Sequence, residues 1–173
     1  MKKSREIAFL GIISALSVVF LLLGAIVEVL DITSAILASL MLLIAYEELK
    51  GKSVLVYLAT AVISFFFVFF SSPMPAIEYT IFGLYPLIKP LIEKTPKVIT
   101  YILKGVYIIL ASLGSAAVMY LLVPSLAEKL YMFAIYILVF ALVIILFDLL
   151  IVRFKRYYQF KLRSTLRIDR FFK

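Results

Sequence analysis

Few side chains in this sequence can do chemistry, and they are of restricted kinds. Among 173 residues there is no histidine, cysteine or tryptophan, against 11 tyrosines, 18 lysines and arginines, and 10 aspartates and glutamates. That composition removes thiol nucleophiles, disulfides, thiolate or imidazole metal sites, c-type haem and every catalytic triad that uses a histidine base. A glycine-rich phosphate loop ending in Gly-Lys-Ser or Gly-Lys-Thr is also missing, so the chain does not hydrolyse ATP by that route. Carboxylates, tyrosines and lysines remain. These suit binding better than bond breaking, and the expectation is a non-enzyme with no cofactor and no metal.

The richest stretch is PAIEYTIFGLYPLIKP, residues 75–90, which carries Glu78, Tyr79 and Tyr85 in an otherwise apolar setting and is interrupted by Gly83 and Pro86. Pro86 lacks a backbone N–H and its ring presses on the preceding turn, so a kink or an unwound turn is expected there. Glu28 and Asp31 lie close together earlier in the chain, and Asp31 with Thr33 and Ser34 also reads as a helix N-cap cluster. Tyr120, with Tyr131 and Tyr136, suits an interfacial aromatic belt or a surface on which a planar ligand stacks. Lys104 and Asp148 are the ionisable residues deepest inside apolar runs and are expected to form a structural pair or network, with a proton or ion relay as the alternative.

The elements that must position these residues follow from composition. The chain is 65% apolar and only 16% charged, with a mean hydropathy of +1.16, which places it in a bilayer. At about 20 residues per membrane-spanning helix, the apolar content suffices for five or six spans and no separate soluble domain. Charged and Pro/Gly-rich breaks delimit six: about 7–27, 32–46, 53–70, 76–92, 98–123 and 130–152, followed by a basic tail at 153–173. The first run follows Lys2, Lys3 and Arg5 as a signal peptide would, but about 21 apolar residues exceed an h-region, and it is read as a retained helix.

In a six-span arrangement 16 of the 18 basic residues fall on one side, Lys129 falls on the other and Lys104 lies within a span. The positive-inside rule then places both termini in the cytoplasm, with the protein a multi-pass component of the cell membrane. Glu28, Asp31, Glu78 and Glu128 gather toward the opposite, outer side and make a negative mouth that would attract a cationic or zwitterionic molecule. The tail interleaves eight basic residues with aromatic and aliphatic ones, as in a segment lying on an anionic lipid surface; nucleic acid is not an expected partner. Small residues four apart, Gly11 with Ala15, Ala35 with Ser39 and Ala111 with Ser115, allow close helix approach, either within the bundle or against a partner.

A short chain of six spans with both termini inside, and a Lys/Arg start running into IAFLGIISALSVVFLLLG, resembles the substrate-binding S components of energy-coupling factor (ECF) transporters. The resemblance covers roughly residues 5–152 at the level of size and topology. It implies an all-α bundle that captures a vitamin-like small molecule near the outer face, where Glu28, Asp31, Glu78, Tyr79, Tyr85 and Tyr120 would read the ligand. It also implies docking through Gly11 and Ala15 onto a transmembrane T component driven by two ATPase subunits. Two other classes stay open: an accessory or structural membrane protein that binds lipid or a partner protein, and a homo-oligomeric pore.

Overall fold

The computed structural model describes residues 2–122, 130–165 and 168. It is helical throughout, with no strand among the described residues. The main helices are α1 (Lys2–Ile26), α2 (Asp31–Leu49), α3 (Ser53–Phe67), α4 (Pro73–Ile92), α5 (Lys97–Leu122) and α6 (Leu130–Tyr157). Each of the six apolar runs falls mainly on one of them, with residue 27 of the first run and residues 68–70 of the third lying beyond the helix ends. The end of the fifth run, at Val123, and the residues Glu128 and Lys129 fall outside the described residues.

Among the described residues, four helical runs are long and apolar enough to cross a membrane: Lys3–Ile26, Asp31–Phe67, Lys97–Leu122 and Tyr131–Thr165. The second contains both α2 and α3, joined by a short turn at Lys50–Lys52. Along α5 and α6, large aliphatic side chains such as Ile109, Leu110, Leu138 and Leu146 are exposed, as in helices that face lipid. Apolar helices of this length mark a membrane protein.

Helix ends follow local chemistry. Lys50 closes α2 with φ 45°, the one positive φ outside glycine among the described residues, and its N–H donates to the Tyr46 carbonyl. Pro73 opens α4 at a position where its missing N–H costs nothing, and Pro96 directly precedes α5. Helix α4 runs unbroken through Gly83, Pro86 and Pro90, so the unwound turn expected from sequence is absent.

The chain divides into two compact units, one of residues 1–88 with 150–173, the other of residues 89–149. In the first, α1 packs along α2 and α3. Ala35, Ala38 and Ser39 are buried on α2, and Ser17 Oγ donates to the Ala38 carbonyl at 3.3 Å. The Ser39 hydroxyl, buried in an apolar interior, donates to its own helix at Ala35 O, 2.7 Å away.

At Gly24 the absence of a side chain admits Ser34 of α2 against the α1 backbone; an added Cβ would lie 2.6 Å from Ser34 Cβ and 3.4 Å from Pro75 Cγ. Gly24→Ala is therefore expected to force α1 and α2 apart and cost about 1–3 kcal/mol, read as a lower thermal midpoint in detergent. An unchanged midpoint would show that the helices separate freely.

The first unit also holds the start of the tail. Beyond Tyr157 the helix continues through a π-helical turn, Tyr158–Leu162, into Arg163–Thr165. Two acids near the end of α2 hold it. Glu47 binds Lys155 Nζ at 2.7 Å and accepts from Gln159 at 2.8 Å, while Glu48 accepts from the buried Tyr158 hydroxyl at 2.7 Å and pairs with Arg163 Nε at 3.1 Å. Nearby, Lys52 pairs with Glu6 of α1. Much of this tail segment is thus bound to the protein's own acids.

Candidate functional site

Helix α4 buries one face, and the residues on it are unusually polar for an apolar chain. Ala76, Tyr79, Phe82, Tyr85, Lys89 and Ile92 recur at three- and four-residue steps, the spacing of one helical stripe. Glu78, one position before Tyr79, is only 2% exposed.

Two of the sequence-expected site residues, Glu78 and Asp31, come together in the first unit, and a third, Tyr79, is buried next to Glu78 in the chain against α3. Glu78 lies close enough to Asp31, in the first turn of α2, for the two carboxyl groups to interact electrostatically. Asp31 falls where a carboxylate suits the positive end of the helix dipole; Leu30 holds the N-cap position without a side-chain hydrogen bond, and Ser34 Oγ donates to the Asp31 carbonyl at 2.7 Å. The Tyr79 hydroxyl lies beside Thr60 of α3, and its ring is 5.8 Å from that of Tyr57, tilted by 32°. Gly83 makes room for both rings, since a Cβ there would lie 3.1 Å from Tyr57 Cδ2 and from Tyr79 Cε2. The Tyr57 hydroxyl donates to the Thr80 carbonyl at 3.0 Å, which fixes its ring.

Glu78 Oε2 is a buried polar atom without a hydrogen-bond partner, as are the Thr60 and Tyr79 hydroxyl oxygens near it. A buried carboxylate oxygen without a donor bears its full desolvation cost, and a second carboxylate nearby adds repulsion. The arrangement favours whatever brings positive charge or a hydrogen-bond donor to it. At the same end of α1 and α2, an apolar cavity of about 130 Å³ is lined by residues including Gly24, Leu30, Thr33 and Ser34.

The other expected residues lie elsewhere. Tyr85 is buried further along α4, and Glu28 begins the short turn before α2. Tyr120 belongs to the second unit, where it is 52% exposed with its ring 6.2 Å from Phe133. Tyr136, also in that unit, shares a 2.7 Å hydrogen bond with Ser115. Gly11 and Ala15 are exposed on α1 and line an open apolar groove of about 360 Å³ with Leu55, Ala59 and Ile63 of α3. The other two small-residue pairs, on α2 and α5, are buried.

In the second unit the expected Lys104–Asp148 contact is present as part of a larger network. Asp148 Oδ2 accepts from Lys104 Nζ at 2.9 Å, Oδ1 is held by Lys89 Nζ, and Lys89 also donates to the Asp148 carbonyl at 2.9 Å. Glu93 lies 3.7 Å from Lys89 and 3.6 Å from Lys104. Two positive and two negative groups thereby balance.

Sequence reasoning missed Lys89 and Glu93 as members of this network, as well as the Glu47 and Glu48 clamp on the tail. The signal was available for the clamp, since two adjacent acids ending an apolar run face a tail rich in lysine and arginine. For Lys89 the signal was its i,i+4 spacing to Glu93. Thr60 and Tyr57 carried none, because single polar residues in an apolar helix do not announce what they face.

The described residues are helical, with helices apolar and long enough to cross a membrane, and this marks a membrane protein. Comparison with family models, with curated proteins and with solved structures finds no match for the chain.

Proposed function

We propose that this chain is the small-molecule binding subunit of a membrane transporter similar to the S components of ECF systems. In this reading six helices span the membrane with both termini in the cytoplasm. A vitamin-like ligand is captured near the outer face, and the loaded subunit docks on a transmembrane and ATPase module. The observation that carries the reading is the buried, unpartnered Glu78 Oε2 beside Asp31. An intramembrane carboxylate is expensive to hold and marks a functional position by default. A ligand with an ammonium or guanidinium group supplies the missing countercharge, and the neighbouring Tyr79 and Tyr57 rings can add cation–π attraction.

The placement of α4 supports counting it as a span although it is less apolar than the others. Its two ionisable side chains within the apolar stretch, Glu78 and Lys89, are 2% and 4% exposed, so they would face protein and not lipid. The basic residues still divide unequally across a six-span topology, which supports an even number of crossings.

The exposed groove at Gly11 and Ala15 supports docking, because these small residues are not consumed by packing within the chain. A Cβ at Gly11 meets nothing within 4 Å, so Gly11→Leu is expected to leave thermal stability unchanged. It should reduce recovery of partner subunits by about tenfold or more, the effect of blocking close helix approach. Purification from native membranes in mild detergent tests this directly. The expected companions are a transmembrane T component and ATPase subunits; self-association alone would indicate a pore, and no companion at all an accessory role.

A further inference from the structure

We infer that the second unit carries a site for the phosphate of an anionic phospholipid, built on the first two turns of α5. The inference rests on the chain lying in a bilayer, and it is independent of what Glu78 binds. Lys97, Thr100, Tyr101 and Lys104 stand at i, i+3, i+4 and i+7, one face of the helix, and with Glu93 and Thr95 they line an open cavity of about 270 Å³. The cavity is held in shape by its threonines. Thr95 Oγ1 donates to the Ile92 carbonyl at 2.7 Å, and the two threonine hydroxyls lie 3.1 Å apart, tying the loop to the first turn of α5.

Charge selects an anion. The one acid in the lining, Glu93, is answered by Lys89 and Lys104, within a four-group network that sums to zero. Lys97 at the cavity and Lys94 in the preceding loop make no ion pair among the described residues, so their charge is in surplus. The N-terminal end of a 26-residue helix adds its positive dipole at the same place.

The apolar surroundings select a lipid over a free anion. Val98, Ile102, Val106, Ile109 and Leu113 continue along α5 as exposed aliphatic side chains. A ligand with an anionic head and long hydrocarbon chains uses both the cavity and this strip, whereas inorganic phosphate or a nucleotide uses only the first. Basic pockets between membrane helices receive anionic headgroups for this reason.

The absence of tryptophan makes the test clean. Val98→Trp, at a position 71% exposed and outside the cavity lining, places a single tryptophan beside the site, and Ile102→Trp is a second reporter. The full-length protein is reconstituted in phosphatidylcholine vesicles containing brominated phosphatidylglycerol, or brominated phosphatidylcholine for comparison. Phosphatidylglycerol is expected to quench preferentially, with an apparent affinity ratio of about fivefold or more for each lysine engaged. Lys94→Gln with Lys97→Gln should abolish the preference, Lys97→Arg should keep it, and Arg153→Gln with Arg156→Gln should leave it unchanged. Equal quenching by both lipids would overturn the proposal, as would equal loss in the two double variants. Displacement of the lipid by inorganic phosphate at constant ionic strength would assign the cavity to free phosphate and overturn it as a lipid site.

Discussion

Asp148→Asn is expected to destabilise the protein by about 3 kcal/mol, the lower end of the cost of removing one partner from a buried charge pair. Lys89 is only 4% exposed, and Asp148 provides it with both a carboxylate oxygen and a backbone carbonyl. Asparagine keeps the shape but withdraws the charge that faces the buried Lys89 ammonium, while Glu93 stays at 3.7 Å. The lower end of the range applies because the Asp148 side chain retains 23% exposure. The measurement is the thermal midpoint in detergent. Lys89→Met combined with Asp148→Leu should recover most of the loss, since removing both charges spares their desolvation and leaves Lys104 and Glu93 to pair at 3.6 Å. A stable Asp148→Asn protein that no longer transports would contradict the structural role and indicate a proton or ion relay.

Glu78→Gln is expected to act in the opposite direction on stability and to abolish ligand capture. Glutamine matches the carboxylate in size, removes repulsion with Asp31 and contributes two N–H donors to a site where Glu78 Oε2 now has no partner. The ligand-free variant should melt higher by about 1–2 kcal/mol, the scale of one relieved unsatisfied group. Binding of a cationic or zwitterionic ligand should fall by about tenfold to a hundredfold, because a buried charge-assisted contact contributes about 1.5–3 kcal/mol. A gain in stability with lost binding is the signature of a functional charge. A variant that melts lower and binds normally would mark Glu78 as structural, and tight binding of an anionic vitamin by both proteins would remove the cationic-ligand reading.

The two variants show what the sequence could and could not disclose. Helix positions were legible because each apolar run is bounded by prolines or charges, and in lipid a chain has few ways to satisfy its backbone other than as helices. Lys104 and Asp148 could be paired because both stand at similar depth in neighbouring apolar runs. The i,i+4 spacing of Lys89 to Glu93 was visible, but it did not tie the lysine to Asp148, since a lysine near the end of a run is equally consistent with reaching the interface. Pro86 and Gly83 suggested a kink or an unwound turn. The helix passes Pro86 without unwinding, and Gly83 seats the Tyr57 and Tyr79 rings. The three small-residue pairs looked alike in sequence, and only packing separates the two that are buried from the Gly11 and Ala15 pair that faces an open groove.

The most direct test of the central claim is native mass spectrometry of the full-length protein, purified in mild detergent, beside its Glu78→Gln variant. Capture of a small molecule predicts a retained mass in the unmodified protein, released on activation as a species bearing an amine or guanidine. That mass should be absent from Glu78→Gln, and partner subunits should be retained in both. An unmodified protein that carries no small molecule, or a variant that carries the same one at the same occupancy, would contradict it.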